Sequence, residues 1–272
     1  MKYKSSNHFY DHFGNPRFDA NLRDAKKRGY YPSITTIMKI INKPGLETWK
    51  QEQIIDAVID HPFGQHEGCQ SSYKDYIAKC ANEKSSDAIE FGKFFHKAIE
   101  SHVNGEIQSF EDDEDDYKVR KTIDVFSWID DNFFSGVAEK ALVSNSYKFG
   151  GTIDFFGKDF DNNVAVIDWK TQDIKLNEYK KSTGIQPEFE TEHGTFLRPK
   201  PNYYNEMLLQ LCACKVMLEE NDKNVHKLMS VIINSDPFID SIHVKEYSQD
   251  DVDWGTKVFL NLVDFYRLYN KF

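Results

Sequence analysis

Three residues in one short stretch combine the groups that hold a divalent cation beside a fixed positive charge. They are Asp154 in the segment GGTIDFFGK, and Asp168 and Lys170 in VAVIDWKT. Side chains alternate along a strand, so Asp168 and Lys170 point to one face and Trp169 to the other. A hairpin turning near residues 159–163 brings Asp154 beside that pair. Two hard carboxylates at one point, with positions left open for water and phosphate, suit Mg²⁺ or Mn²⁺. Such a centre supports phosphodiester hydrolysis, which needs a nucleophilic water and relief of charge on the phosphoryl group and the leaving oxygen. Lys170 would orient the attacking water and bring positive charge to the phosphate, and its acidic neighbours favour its protonated form.

The elements that must position these residues are legible from pattern. VAEKALVS (137–144), GGTIDFFGK (150–158) and VAVIDWKT (164–171) are β-rich and separated by turn residues, which predicts a three-stranded antiparallel meander. Upstream, Ser33 after Pro32 predicts the N-cap of a short helix over 33–41, ending near Lys43-Pro44-Gly45. Helical spacing follows over 46–58, over 72–104 with a break near Lys84-Ser85-Ser86, and over 119–133. Downstream, 172–201 reads as a long functional loop or flap, 205–220 as a helix, 226–235 as a strand and 252–272 as a closing helix. Residues 1–30 lack periodicity and read as an irregular arm. The expectation is one domain over 1–272, with an arm (1–30), a helical region (31–135) and the catalytic sheet with its helices (136–272), in an α/β (α+β) arrangement.

The composition, 40% hydrophobic and 14% aromatic, is ample for a packed core. No apolar run is long enough to cross a bilayer and no leader is evident, so the expectation is a cytoplasmic protein without a membrane partner. Cys69, Cys80, Cys212 and Cys214 form no CxxC pair. The net charge of −10 runs against a nucleic-acid partner. Much of it, however, comes from the run EDDEDD at 111–116 and from the carboxylates of the site, and local basic patches such as Arg23, Lys26, Lys27 and Arg28 coexist with it.

In order along the chain, GKFFH (92–96), GTID (151–154), VIDWK (166–170) and Gln210 in LLQLCAC resemble the motifs of the RecB-like branch of the PD-(D/E)XK nucleases. IDWKT together with Ser33 to Thr36 is similar to the mitochondrial genome maintenance exonucleases and their phage relatives. The resemblance spans about residues 31–220 and implies a restriction-endonuclease-like core, a mixed central sheet flanked by helices. It implies His96, Asp154, Asp168 and the backbone carbonyl of Trp169 as ligands of Mg²⁺ or Mn²⁺, with Asp154, Asp168, Lys170 and Gln210 catalytic. Glu100, one turn beyond His96, is placed to bond its imidazole or to stand solvated. Where the family carries QxxxY, this chain has Cys214 four residues after Gln210, a departure for which Tyr203 or Tyr204 would substitute. Glu139 reads either as the partner of a nearby lysine or as an approach to a second metal. With no cysteine after Cys214, no iron–sulfur cluster is expected.

For gripping a single strand, aromatic and basic residues stand at Tyr30, Tyr31, Trp49 and Lys50, and at Lys180, Lys181, Arg198 and Lys200. By resemblance, Ser33 and Thr35 would hold a backbone phosphate, Ser33 being equally explained by N-capping; with Tyr204 and with Lys200 of the long loop they are the DNA-binding candidates. The leading expectation is a monomeric, metal-dependent DNA exonuclease preferring single-stranded ends, in replication, recombination or repair. The alternatives are a duplex exonuclease of the phage recombination type and a DNA-binding protein that keeps the fold without catalysis, which the intact Asp154, Asp168 and Lys170 speak against.

Overall fold

The computed structural model describes residues 8–41, 44–65, 68–106, 116–172, 188–191, 194–197, 203–234 and 242–272. Contacts divide the chain into two compact units, one of residues 1–41 with 96–272 and one of Asn42–Phe95. No helix of the described residues is long and apolar enough to cross a membrane.

The larger unit is built on a mixed five-stranded sheet. β4 (Phe133–Ser144), β5 (Phe149–Asp159) and β6 (Val164–Gln172) form the antiparallel meander that the turn residues predict, β6 then pairs in parallel with β9 (Val225–Asn234), and β10 (Ile242–Glu246) closes the order β10-β9-β6-β5-β4. A parallel pair needs a crossover, and α6 (Tyr203–Glu219) lies on that connection. Its apolar residues Leu208, Leu209, Leu211, Ala213 and Met217 pack with Ile153 and Val166 of the sheet and with Val258, Phe259, Leu262 and Val263 of α7 (Gln249–Asn270). Ser248 and Asp251 form a capping box at the start of α7, satisfying donors that the helix leaves unpaired. α5 (Asp116–Asn132) brings Trp128 edge-on against Trp169, which also meets Phe155.

Residues 8–30, expected as part of an irregular arm over 1–30, carry regular elements. β1 (Phe9–Tyr10), β2 (Pro16–Arg17) and β3 (Tyr31–Pro32) form a small antiparallel sheet in the order β2-β1-β3, with α1 (Leu22–Arg28) between β2 and β3. Strands of two residues are too short to show alternation, and turn bonds hold them instead. The Asp11 carboxylate accepts from the backbone of Phe13 and Asn15 and from Arg17. α2 (Ile34–Met38) starts at Ser33 as predicted, with the Ser33 hydroxyl accepting from the Thr36 backbone N–H.

In the smaller unit, α3 (Pro44–Asp60) begins on a proline, which a first helical position tolerates. α4 (Gln70–Val103) runs without the break expected at 84–86, because serine and lysine cost a helix interior little. Its last turns, from His96, belong to the larger unit. Within the segment expected as a long loop or flap, β7 (Glu188–Thr191) and β8 (Gly194–Leu197) pair as an antiparallel hairpin. The rest of that segment, with Lys180, Lys181, Arg198 and Lys200, lies outside the described residues, as do 111–115 of the acidic run and the side chains of Trp49, Tyr203 and Tyr204.

Candidate active site

The β5–β6 hairpin is set by its turn. Asp159 accepts from the backbone N–H groups of Asp161 and Asn163, and Asn162 takes the left-handed backbone (φ 65°) that asparagine tolerates. The register runs Lys158↔Val164 to Phe155↔Ile167 and stops there, so Asp154 and Asp168 stand across from each other where the ladder opens. In that gap Asp154 Oδ2 accepts the Trp169 backbone N–H at 3.1 Å. The strand alternation then sends the Trp169 ring into the core and leaves Asp168 and Lys170 on the opposite face, joined by an Nζ–Oδ1 contact of 2.6 Å. The Lys170 ammonium also donates to the Trp169 carbonyl at 3.4 Å.

On the other side of Asp154 is β4. Ala138 pairs with Phe155 and Lys140 with Ile153, which puts Glu139 opposite Asp154. Glu139 holds φ 50°, a region a glutamate seldom occupies and one that concentrates at functional sites. Its Oε1 lies 2.9 Å from His96 Nδ1, while His96 Nε2 is 4.0 Å from Asp154 Oδ2. The lysine partner expected for Glu139 is therefore corrected: it pairs with His96. Glu139 also fills the place of imidazole partner for which Glu100 is a candidate by sequence, since among the described contacts none joins Glu100 to His96.

The ligand atoms of His96, Glu139 and Asp154 all lie within 4.8 Å of one another. This donor set of one imidazole nitrogen and carboxylate oxygens fits a divalent cation such as Mg²⁺ or Mn²⁺. A second observation agrees: Asp168 Oδ2 is buried without a hydrogen-bond partner, which an ordinary structural carboxylate avoids.

The electrostatics follow from burial against charge. Burial alone would lower the His96 imidazole, but its bond to Glu139 and the charges of Asp154 and Glu139 outweigh that and raise it. Burial pushes the Asp168 carboxyl up, against the pull of Lys170. Burial would likewise lower the Lys170 ammonium, yet Asp168 and Asp154 hold it above its ordinary value, so it carries its charge at neutral pH.

α6 passes over this face. Gln210 is half-buried on it, and Cys214, one turn later, is buried near enough for the charges of Asp154, Asp168 and Lys170 to act on its thiol, which burial pushes well up. Cys214 is thus an apolar wall here rather than a DNA contact. Tyr10, absent from the sequence-level candidates, crosses above Gly150, where a Cβ would come within 2.7 Å of its ring, and its hydroxyl is 3.1 Å from Thr152 Oγ1. Ser33 is buried, its hydroxyl bonded to the Thr36 backbone and to Thr36 Oγ1, and Thr35 is exposed.

No protein-family model matches the chain, and no curated protein matches it. Among solved structures it is similar to a protein from Eubacterium rectale described as a candidate exonuclease, at 12% identity and a TM-score of 0.38, covering 66% of this chain and 68% of that one. It is also similar to the protein SSO0001, at 13% identity and a TM-score of 0.31, covering 81% of this chain and 86% of that one. At these values neither likeness bears on the chemistry, which rests on the residues themselves.

Proposed function

We propose that the chain is a metal-dependent nuclease that hydrolyses phosphodiester bonds of DNA, as an exonuclease preferring single-stranded ends. The observation that carries this reading is the meeting of Asp154, Asp168 and Lys170 where the β5–β6 ladder opens. His96, Asp154, Asp168 and the Trp169 carbonyl would hold the cation, and the position of Glu139 adds it to that set. When bound, a divalent ion there supplies Lewis-acid charge and lowers the pKa of water.

The chain's own groups account for the rest. Lys170, charged and half-buried, presents its ammonium to a phosphate oxygen and fixes the approach of the attacking water. Glu139 holds the His96 ring through Nδ1 and leaves Nε2 directed at the carboxylates. Trp169 anchors β6 through its ring, so the carboxylate and the ammonium on the opposite face keep their spacing.

End-labelled single- and double-stranded DNA and a closed circular single strand, incubated with Mg²⁺ or Mn²⁺ and with EDTA, test the proposal. The expected result is metal-dependent release from linear single strands that Lys170→Ala slows by orders of magnitude. Wild-type and Lys170→Ala proteins that are equally active, or equally inert, would sink the catalytic assignment. Cleavage of the circle would overturn the exonuclease reading alone.

A further inference from the structure

Away from the catalytic face, a cavity of about 360 Å³ is lined by Lys26, Tyr30, Tyr31, Lys148, Arg267 and Lys271. Four cations converge on it in a chain whose net charge is −10, and among the described residues none of the four has an ion pair. Like charges left unneutralised around one concavity repel one another and attract an anion.

The aromatic side of the cavity is built as well. The Tyr31 hydroxyl donates to Asn145 Oδ1 at 3.1 Å, tying that ring to the β4–β5 turn that carries Lys148. Tyr30 is flanked by the guanidinium groups of Arg17 and Arg28 at 5.7 and 6.0 Å from its ring centre, and Arg28 also donates to its hydroxyl. Asp24, on the same helix as Lys26, caps the start of that helix.

From these features we infer that the cavity is a second contact for a single-stranded nucleic acid, taking one nucleotide unit with its phosphate among the four cations and its base against the tyrosines. The choice of ligand rests on the nuclease reading. A volume of this size admits one nucleotide unit. Lys148 lies six positions before Asp154, just ahead of β5, about 20 Å at the rise of a strand. A strand held in the cavity would therefore reach the catalytic carboxylates only several nucleotides away, and short fragments would not span the two sites.

Fluorescence anisotropy with a 5′-labelled twenty-nucleotide oligo-dT, measured in EDTA, tests this independently of catalysis. Lys26→Glu/Lys148→Glu is expected to weaken binding roughly tenfold or more and to flatten the salt dependence by about 0.7 for each phosphate no longer neutralised. Lys245→Glu/Lys257→Glu, the same change in net charge at positions that do not line the cavity, is expected to weaken it no more than about twofold. Arg267→Gln provides a second variant with the same expected direction, and melting curves verify that each variant is folded. Binding by the pocket variants no weaker than by the control overturns the proposal. So does displacement of the oligonucleotide by thymidine monophosphate or inorganic phosphate as readily as by unlabelled oligo-dT, which would make the cavity a small-anion site. Wild-type protein that binds oligo-dT in this way but shows no metal-dependent cleavage would overturn the nuclease reading and leave the strand-binding role standing.

Discussion

His96 and Glu139 meet through Nδ1 and Oε1 at 2.9 Å, and this contact turns Nε2 toward Asp154, 4.0 Å away. With an ionised glutamate as partner, Nδ1 carries the hydrogen and Nε2 keeps its lone pair for a cation. Removing the partner releases both ring and tautomer. Glu139→Ala is therefore expected to lower Mn²⁺ affinity by roughly 10- to 100-fold, read by calorimetry, with little change in the far-ultraviolet circular dichroism. Unchanged affinity would show that the bond is structural only.

The same pair makes a prediction about pH in the metal-free protein. The folded imidazole titrates above its ordinary 6.5, so its stabilising interaction is fully present below pH 6.5 and fades as the pH rises through the higher folded value. An NMR titration should place His96 above an exposed histidine in the wild type and lower in Glu139→Gln. Equal midpoints in the two proteins would refute the attribution to Glu139.

Lys170 and Asp168 should separate activity from stability. Lys170→Ala is expected to cost roughly 10²- to 10³-fold in rate, the scale of removing one preorganised charge from a transition state. Asp168→Asn should also lower cleavage, and it takes away the partner that holds the Lys170 ammonium. The metal-free variant should therefore be less stable than wild type at neutral pH, since it leaves a largely buried charge unpaired, whereas Lys170→Ala leaves a carboxyl that burial already pushes toward its neutral form and should lose less. Equal losses of melting temperature in the two variants would contradict that asymmetry.

How much of this was legible in the sequence depends on whether a local or a distant interaction sets each residue. The β5–β6 hairpin was readable because alternation and the Asp159–Asn163 turn are local, and they alone bring Asp154 level with Asp168. Glu139 was legible only as two alternatives, a lysine's partner or an approach to a metal: its pairing with His96 follows from the β4–β5 register and its φ of 50° from tertiary constraint, neither of which leaves a mark in the order of residues. The small sheet of β1, β2 and β3 was invisible because two-residue strands have no period. Gly151 has a reason that only packing reveals, since a Cβ there would run into the Ile34 side chain.

The hairpin turn gives a second pH prediction, of opposite sign. Asp159 is held down to about 2, first by its bond from Lys227 and then, against the effect of burial, by bonds from Asn163. A depressed carboxylate contributes stability above its ordinary 3.8 that is lost as the pH falls toward 2. Wild type should therefore lose stability steeply between those values in denaturant melts, and Asp159→Asn should start less stable at pH 5 and decline less. Parallel curves would show that the turn does not depend on the charge.

Two glycines of β5 differ in what surrounds them, and this makes the last prediction a comparison. At Gly157 an added Cβ would stand 2.6 Å from the Ser135 carbonyl oxygen, a backbone atom of the paired strand that cannot move without breaking the ladder. At Gly151 it would meet the tip of the Ile34 side chain, which can change rotamer. Gly157→Ala should therefore cost about 1–3 kcal/mol, the range for overpacking, and Gly151→Ala distinctly less. Chemical denaturation of both variants decides the matter, and because Gly157 lies outside the catalytic cluster, the folded fraction of Gly157→Ala should retain its specific activity. Equal losses at the two positions would mean that α2 is as rigid against β5 as the backbone of β4, and that the glycine of GTID is held as tightly as one inside a ladder.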